Sequence, residues 1–147
     1  MATLITTTIR INAPATIIWE TLMEFENYPE WNPFIRSISG NPKTGEKLTV
    51  LLQPNPNKKG MVFRPKVLVS QPNREFRWLG HLWFKGLFDG EHRFFLSENE
   101  DGSTTFTHEE RFTGILVPFL KKMLENDTKP GFIKMNEALR TRVTQGN

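Results

Sequence analysis

The sequence predicts an α+β domain: one long antiparallel sheet, a small early helix and a long C-terminal helix. Three observations predict it. The chain opens on a β-branched run of period two that changes to a period of three or four. Six further strand-like runs follow, divided by short turns rich in Gly, Pro, Asn and Asp. The tail then returns to helical spacing. With 147 residues the chain holds a single domain, 1–147, and has no room for two of ordinary size.

Residues 3–11 (TLITTTIRI) place Ile5, Thr7, Ile9 and Ile11 on one side and Leu4, Thr6, Thr8 and Arg10 on the other, the alternation of a strand. Asn12 is the expected helix cap and Pro14 sits near the first turn. In 14–25 the residues Ile18, Leu22 and Phe25 mark one face of a short helix. The prolyl stretch 27–34 (NYPEWNPF) still carries Tyr28, Trp31 and Phe34, which reads as a packed corner. Strands are expected at 34–39, 47–53, 61–69, 74–83, 87–97 and 103–113. Their connections suit antiparallel meanders and are too short for crossover helices. Pro65 removes a ladder N–H from 61–69, so that strand is an edge or holds a bulge. Pro118 suits a first helical position. Phe119, Leu120, Met123 and Leu124, then Phe132, Met135, Leu139 and Val143, recur at helical spacing. Pro130-Gly131 kinks or divides that helix, as a hinge that opens a cavity or as a bend around the sheet.

A sheet this long must twist and curl, and one helix on its concave side covers it in part. Unfilled space between them becomes a cavity. The rings indicate its character: 12 Phe and 4 Trp stand against 1 Tyr, so the interior is greasy. Hydrophobic residues at 37% and charged residues at 24% exclude a disordered chain, a collagen and a coiled coil. Zero Cys excludes disulfides, thiolate nucleophiles and cysteine metal sites. No secretory signal opens the chain. The longest near-apolar run, 115–120, is broken by Pro118 and far short of the ~20 residues of a membrane span. A cytoplasmic protein is expected. The net charge of +3 is mild, and the Lys/Arg doublets are limited to Lys58-Lys59 and Lys121-Lys122. No basic stretch forms a platform with aromatics, so no nucleic-acid partner is expected.

Strand parity selects the candidate site. Phe76, Trp78, Gly80 and Leu82 share one side of their strand. Phe88, Gly90, His92, Phe94 and Leu96 share a side of the next, and Phe106, His108, Glu110 and Phe112 of the last. A register that sets Phe94 beside Phe106 or His108 keeps these sets on one face, and an odd slip would break the apolar pattern. His92, His108 and Glu110 then point inward among Phe rings. They are read as a polar anchor for the head of a ligand, as an acid/base pair, or as an internally satisfied contact. Zinc is the rival reading. His81 falls on the outward parity, however, and no spacing motif supports the remaining three as ligands, so no metal and no cofactor are expected. The chain has no GxSxG elbow, P-loop or GxGxxG. Asp89 reads as a turn or bulge residue, or as a polar group at a cavity mouth.

The stretch 12–19 (NAPATIIW) through 25–34 (FENYPEWNPF) resembles the opening of the polyketide cyclase/dehydrase-like group of the Bet v 1/START-like (SRPBCC) superfamily. The segments 76–78 (FRW), 86–92 (GLFDGEH), 108–112 (HEERF) with Gly114, and 131–139 (GFIKMNEAL) continue the likeness over nearly the whole chain. The resemblance implies a helix-grip fold: a curved seven-stranded antiparallel sheet around a long C-terminal helix, with a short helix pair after strand 1. Members bind lipids, sterols, plant hormones, quinones or polyketides. Some are aromatase/cyclases, and one branch activates a chaperone ATPase. No motif carries the polar residues of those enzymes onto this chain, and Tyr28 lies in the fold-building corner.

The expected function is binding of a hydrophobic small molecule. Phe63, Trp78, Phe88, Phe94, Phe112, Phe132 and Met135 would line the cavity, and His92, His108 and Glu110 would orient the polar end. Phe63 follows from taking Met61, Phe63, Pro65 and Val67 as the inward set. The alternative is a cyclase or dehydratase with His92, His108 or Glu110 as acid or base. A third reading is a protein-interaction module whose outer face exposes Leu79, Trp83 and Phe95. The expected state is a monomer or weak homodimer.

Overall fold

One asparagine oxygen and a tyrosine hydroxyl show how the early corner is built. Strand β1 (Ala2–Ile11) leads into helix α1 (Ala15–Met23), a 3-10 turn (Phe25–Asn27) and a one-turn helix α2 (Tyr28–Trp31). Tyr28 is fully buried and its hydroxyl donates to the Leu22 carbonyl (2.7 Å). Asn32 Oδ1 accepts from the backbone of Phe34 and Ile35 (2.9 and 2.8 Å), and this turns the chain into the next strand. The computed structural model describes residues 2–145.

The strands that follow are β2 (Ile35–Gly40), β3 (Leu48–Leu52), β4 (Met61–Phe63), β5 (Lys66–Gln71), β6 (Glu75–His81), β7 (Asp89–Glu98) and β8 (Thr104–Thr113). They form a five-stranded sheet in the order β1-β8-β7-β6-β5 and a three-stranded sheet, β2-β3-β4. All pairings are antiparallel. The expected strand 61–69 is divided at Arg64-Pro65, which raises the count from seven to eight. Pro65 has no N–H for a ladder. Its carbonyl instead accepts from Leu48 (2.9 Å), beside a bridge between Lys47 and Lys66. The chain changes sheets there: β4 pairs with β3, and β5 pairs with β6. Register shifts between Ile35 and Ser37 and between Val67 and Val69 add local bends.

The tail runs through a 3-10 turn (Val117–Phe119), helix α3 (Lys121–Met123), a π-helical turn (Leu124–Thr128) and helix α4 (Lys129–Thr144). The π turn lies directly before Pro130, which lacks a helix N–H, so the expected kink takes this form. Helix α4 buries Phe132, Met135, Asn136 and Leu139 and packs on β1 and β8, with α1 and α2 alongside. Gly131 permits the close approach. A Cβ there would stand 2.8 Å from the Phe34 ring and 3.3 Å from Pro54.

One expected local contact is not formed. Helix α1 begins at Ala15 and has Pro14 at its cap, so Asn12 lies too far out to serve. Glu98, at the end of β7, accepts from the Ala15 N–H instead (2.9 Å).

Candidate functional site

A cavity of about 270 Å3 lies between the two sheets and the α3–π turn. Sheet residues Trp78, Gly80, Phe88, Gly90, Glu110 and Phe112 form one wall. Val50, Leu52, Met61, Phe63 and Pro65 form a second, and Leu120, Met123, Leu124 and Thr128 close the helical side. Phe34 completes the inner end. Met61 is 42% exposed, and Leu82, Leu120 and Met123 are half-buried, so these residues mark the mouth. Phe88 and Phe112 stack at 5.5 Å on the sheet wall.

Behind this wall runs a buried hydrogen-bond chain. The ladder sets His92 opposite Glu110, Phe94 opposite His108 and Thr7 opposite His108. Thr7 Oγ1 donates to the His108 carbonyl (2.9 Å), which uses its one proton. It therefore accepts from Asn136 Nδ2 (2.8 Å). Asn136 Oδ1 then faces His108 Nδ1 (2.9 Å), and that nitrogen must carry a proton. Burial holds the His108 pKa well below 6.5, and neighbouring His92 lowers it further, against the opposing Asn136 bond. The ring is neutral, so its bare Nε2 accepts from His92 Nε2 (2.8 Å). His92 Nδ1 meets Glu110 Oε1 at 3.1 Å, and one proton lies between those two atoms. Long-range 1H–15N correlation at neutral pH should find His108 protonated at Nδ1 and bare at Nε2. The opposite tautomer would reverse the direction of the chain.

A family model described as "Polyketide cyclase / dehydrase and lipid transport" matches residues 2–144. The chain belongs to this family. Among curated protein sequences none matches it. Among solved structures it is similar to a START superfamily protein from Mycobacterium smegmatis, at 22% identity and a TM-score of 0.74, over 98% of this chain and 99% of that one. It is similar to the Zhui aromatase/cyclase from Streptomyces sp. R1128, at 12% identity and a TM-score of 0.78, over 99% and 95%. Norcoclaurine synthase from Thalictrum flavum, in complex with dopamine and hydroxybenzaldehyde, aligns at 13% identity with a TM-score of 0.75, over 100% and 89%. At these identities the likeness is one of fold, the START/Bet v 1-like helix grip. Family and fold together fit hydrophobic-ligand binding or a polyketide cyclase role.

In this polyketide cyclase/dehydrase family member the ten sequence-predicted site residues divide into two groups. Phe63, Trp78, Phe88, Glu110 and Phe112 reach the cavity wall. His92, Phe94, His108, Phe132 and Met135 face the same side, yet each is 1% exposed or less and lies behind the wall. The cause is packing of α4 onto β1 and β8, which fills the inner end of the grip. His92 lies between Trp78 (4.9 Å, stacked) and Phe34 (6.2 Å, stacked). His108 stacks on Phe132 at 4.0 Å. Sequence reasoning missed Asn136, Thr7 and Phe34 as parts of the site. Asn136 is a polar residue on the buried helical stripe of Phe132, Met135 and Leu139, and Thr7 shares the inward parity of Ile5; both signals were present.

The outer face of the large sheet also differs from expectation. Leu79 and Phe95 are half-buried there, and Trp83 (78% exposed) sits in the loop beyond β6. The Arg93 guanidinium covers the Phe95 ring at 4.7 Å. Glu75 accepts from Arg77 (2.7 Å) and Arg93 (3.1 Å), and Arg77 and Arg93 reach Glu91 and Glu109. This is an ion-pair lattice and not an apolar patch. Asp89 closes the β6–β7 loop by accepting from Gly86 N (3.0 Å) and pairing with His81 (2.8 Å). Among the described residues no cluster of three or more His, Asp or Glu is arranged for a metal ion, and no helix is long and apolar enough to cross a membrane.

Proposed function

We propose that this chain binds a hydrophobic small molecule, of lipid, polyketide or aromatic type, in the cavity between the two sheets and the C-terminal helical segment. The observation that carries the reading is the composition of the wall: aromatic and aliphatic side chains, with Glu110, Thr128 and the Trp78 indole as its polar members. Its volume sits just below the range of roughly 300–1,000 Å3 for ligand pockets. Burial of apolar ligand surface supplies the driving force, at about 25 cal/mol per Å2 before ordering costs. Catalysis is the second reading. Of the three acid/base candidates only Glu110 reaches the wall, because Phe34, Trp78 and Phe132 screen both histidines. The hydrogen-bond chain also ends, on its inner side, at a backbone carbonyl, so it leads a proton from Glu110 to no second outlet. An anchoring role is therefore favoured over acid/base relay.

The test uses N-phenyl-1-naphthylamine, whose emission rises in apolar surroundings. One probe should bind per chain. Gly80→Leu should abolish binding while the fold persists. Gly80 lies on the inward parity, and a Cβ there meets nothing closer than Pro65 at 3.5 Å, so the new side chain grows into the cavity. Absence of binding by the wild type, or undiminished binding by Gly80→Leu, would remove the reading.

A further inference from the structure

We propose that the ligand of this cavity carries an uncharged hydroxyl group, phenolic or alcoholic, that donates to Oε2 of Glu110. This rests on the reading that the cavity binds an apolar molecule, and it adds the chemistry of that molecule's polar end.

The Glu110 side chain is 10% exposed, and its Oε1 is engaged by His92. Among the described residues Oε2 has no hydrogen-bond partner. It lies over Gly90, where a Cβ would collide with it, and both residues belong to the cavity wall. Fully enclosed side-chain polar atoms without partners are Trp31 Nε1 and Asn32 Nδ2. Oε2 is not one of them, so it retains surface, and that surface faces the cavity. An aimed, nine-tenths buried carboxyl oxygen needs a partner when a ligand displaces water from it.

The hydrogen-bond chain decides what that partner is. Thr7, Asn136 and His108 fix the direction of donation, so one proton lies between His92 Nδ1 and Glu110 Oε1. If it rides on Glu110, Oε2 is the carbonyl oxygen of a carboxylic acid. If it rides on His92, Oε2 belongs to a carboxylate. Oε2 accepts in both forms. A turn of the Asn136 amide would reverse the chain and leave Glu110 ionised, and Oε2 would accept again. The ligand must therefore donate. In the direction that the Thr7 donation to the His108 carbonyl sets, Glu110 and His92 together with their proton carry no net charge and offer nothing to hold an ammonium group; only the reversed chain would leave a negative charge there. A ketone or ester would set acceptor against acceptor, and a ligand carboxylate would add repulsion. A hydroxyl satisfies Oε2 at no charge.

Three probes of matched shape test this by displacement of N-phenyl-1-naphthylamine: 2-naphthol, 2-methylnaphthalene and 2-naphthoate. The wild type should bind 2-naphthol about tenfold tighter than 2-methylnaphthalene, the worth of one hydrogen bond to a charge-coupled acceptor. It should bind 2-naphthoate most weakly. Glu110→Met should make 2-naphthol and 2-methylnaphthalene equal. Glu110→Gln should keep most of the preference, because its amide N–H can face His92 and leave its oxygen in the cavity. Gly90→Ala, which displaces Oε2 with a smaller change, should reduce the preference if Glu110→Met fails to fold. Equal affinities in the wild type, or a preference that survives Glu110→Met, would overturn the hydroxyl assignment while leaving the cavity as a ligand site. If neither 2-naphthol nor 2-methylnaphthalene binds, the ligand-binding reading fails and takes this assignment with it.

Discussion

Phe132→Ala should lower the free energy of unfolding by about 3–5 kcal/mol, the usual loss for a buried Phe truncated to Ala. Against a total of roughly 5–15 kcal/mol this is a large share of the fold's stability. Phe132 is fully buried and occupies the junction of helix, sheet and histidine chain. Its ring stacks on His108 at 4.0 Å, meets Phe34 edge-on at 5.2 Å and approaches His92 at 5.3 Å. The space left behind cannot collapse readily, because Phe34 already leans on Gly131 and the sheet beneath is a continuous ladder. Urea denaturation measures the loss. A change below about 1 kcal/mol would mean that the ring does not bear on the core as described.

Acid should destabilise the fold through His108. Above pH 6.5, its ordinary value, His108 is neutral in both the folded and the unfolded chain, and it adds no pH dependence. As pH falls below that point the unfolded chain takes up a proton that the folded chain refuses, since burial holds the folded-state value well down. Stability is therefore present above the unfolded value and drains away as pH falls toward the folded one. The slope is about 1.4 kcal/mol per pH unit for one proton. His108→Gln should be less stable at neutral pH, and its slope below pH 6.5 should be shallower by that amount. Equal slopes in the two proteins would show that His108 can accept its proton without unfolding.

Much of this architecture was legible because its signals are local and periodic. Parity placed His92, His108 and Glu110 on the concave face, and the requirement that Phe94 avoid Thr107 left Phe94 beside Phe106 or His108, of which the second is observed. Parity names a face but not a depth. It could not show that α4 would press Phe132 onto His108 and leave only Glu110 of the three at the wall. That distinction depends on where a helix far along the chain lands on the strands, and Gly131 sets it by letting Phe34 approach. The cap of α1 was missed for the same reason, since Glu98 reaches it from the end of β7. Pro65 announced a defect in its strand, but a sequence does not say whether the chain bulges within one sheet or leaves it for another. Asn136 was the most readable omission. A polar residue on an otherwise apolar helical stripe needs a buried partner, and the inward histidines were the partners at hand.

The placement of β1 bears on how the molecule assembles. Among the described strands its sole ladder neighbour is β8, and Thr7 and His108, joined across that seam, stand 101 positions apart. A strand is thus completed by one that leaves the ribosome about a hundred residues after it. While the polypeptide is still being made, the isoleucines and threonines of β1 have no mate, and the seam can zip only once residues beyond 113 have left the ribosome. Pairings this remote carry a heavy loop-closure entropy and slow the search. Closure of the β1–β8 seam belongs to the end of assembly, and a nascent chain halted before that point presents an open, β-prone edge to its neighbours.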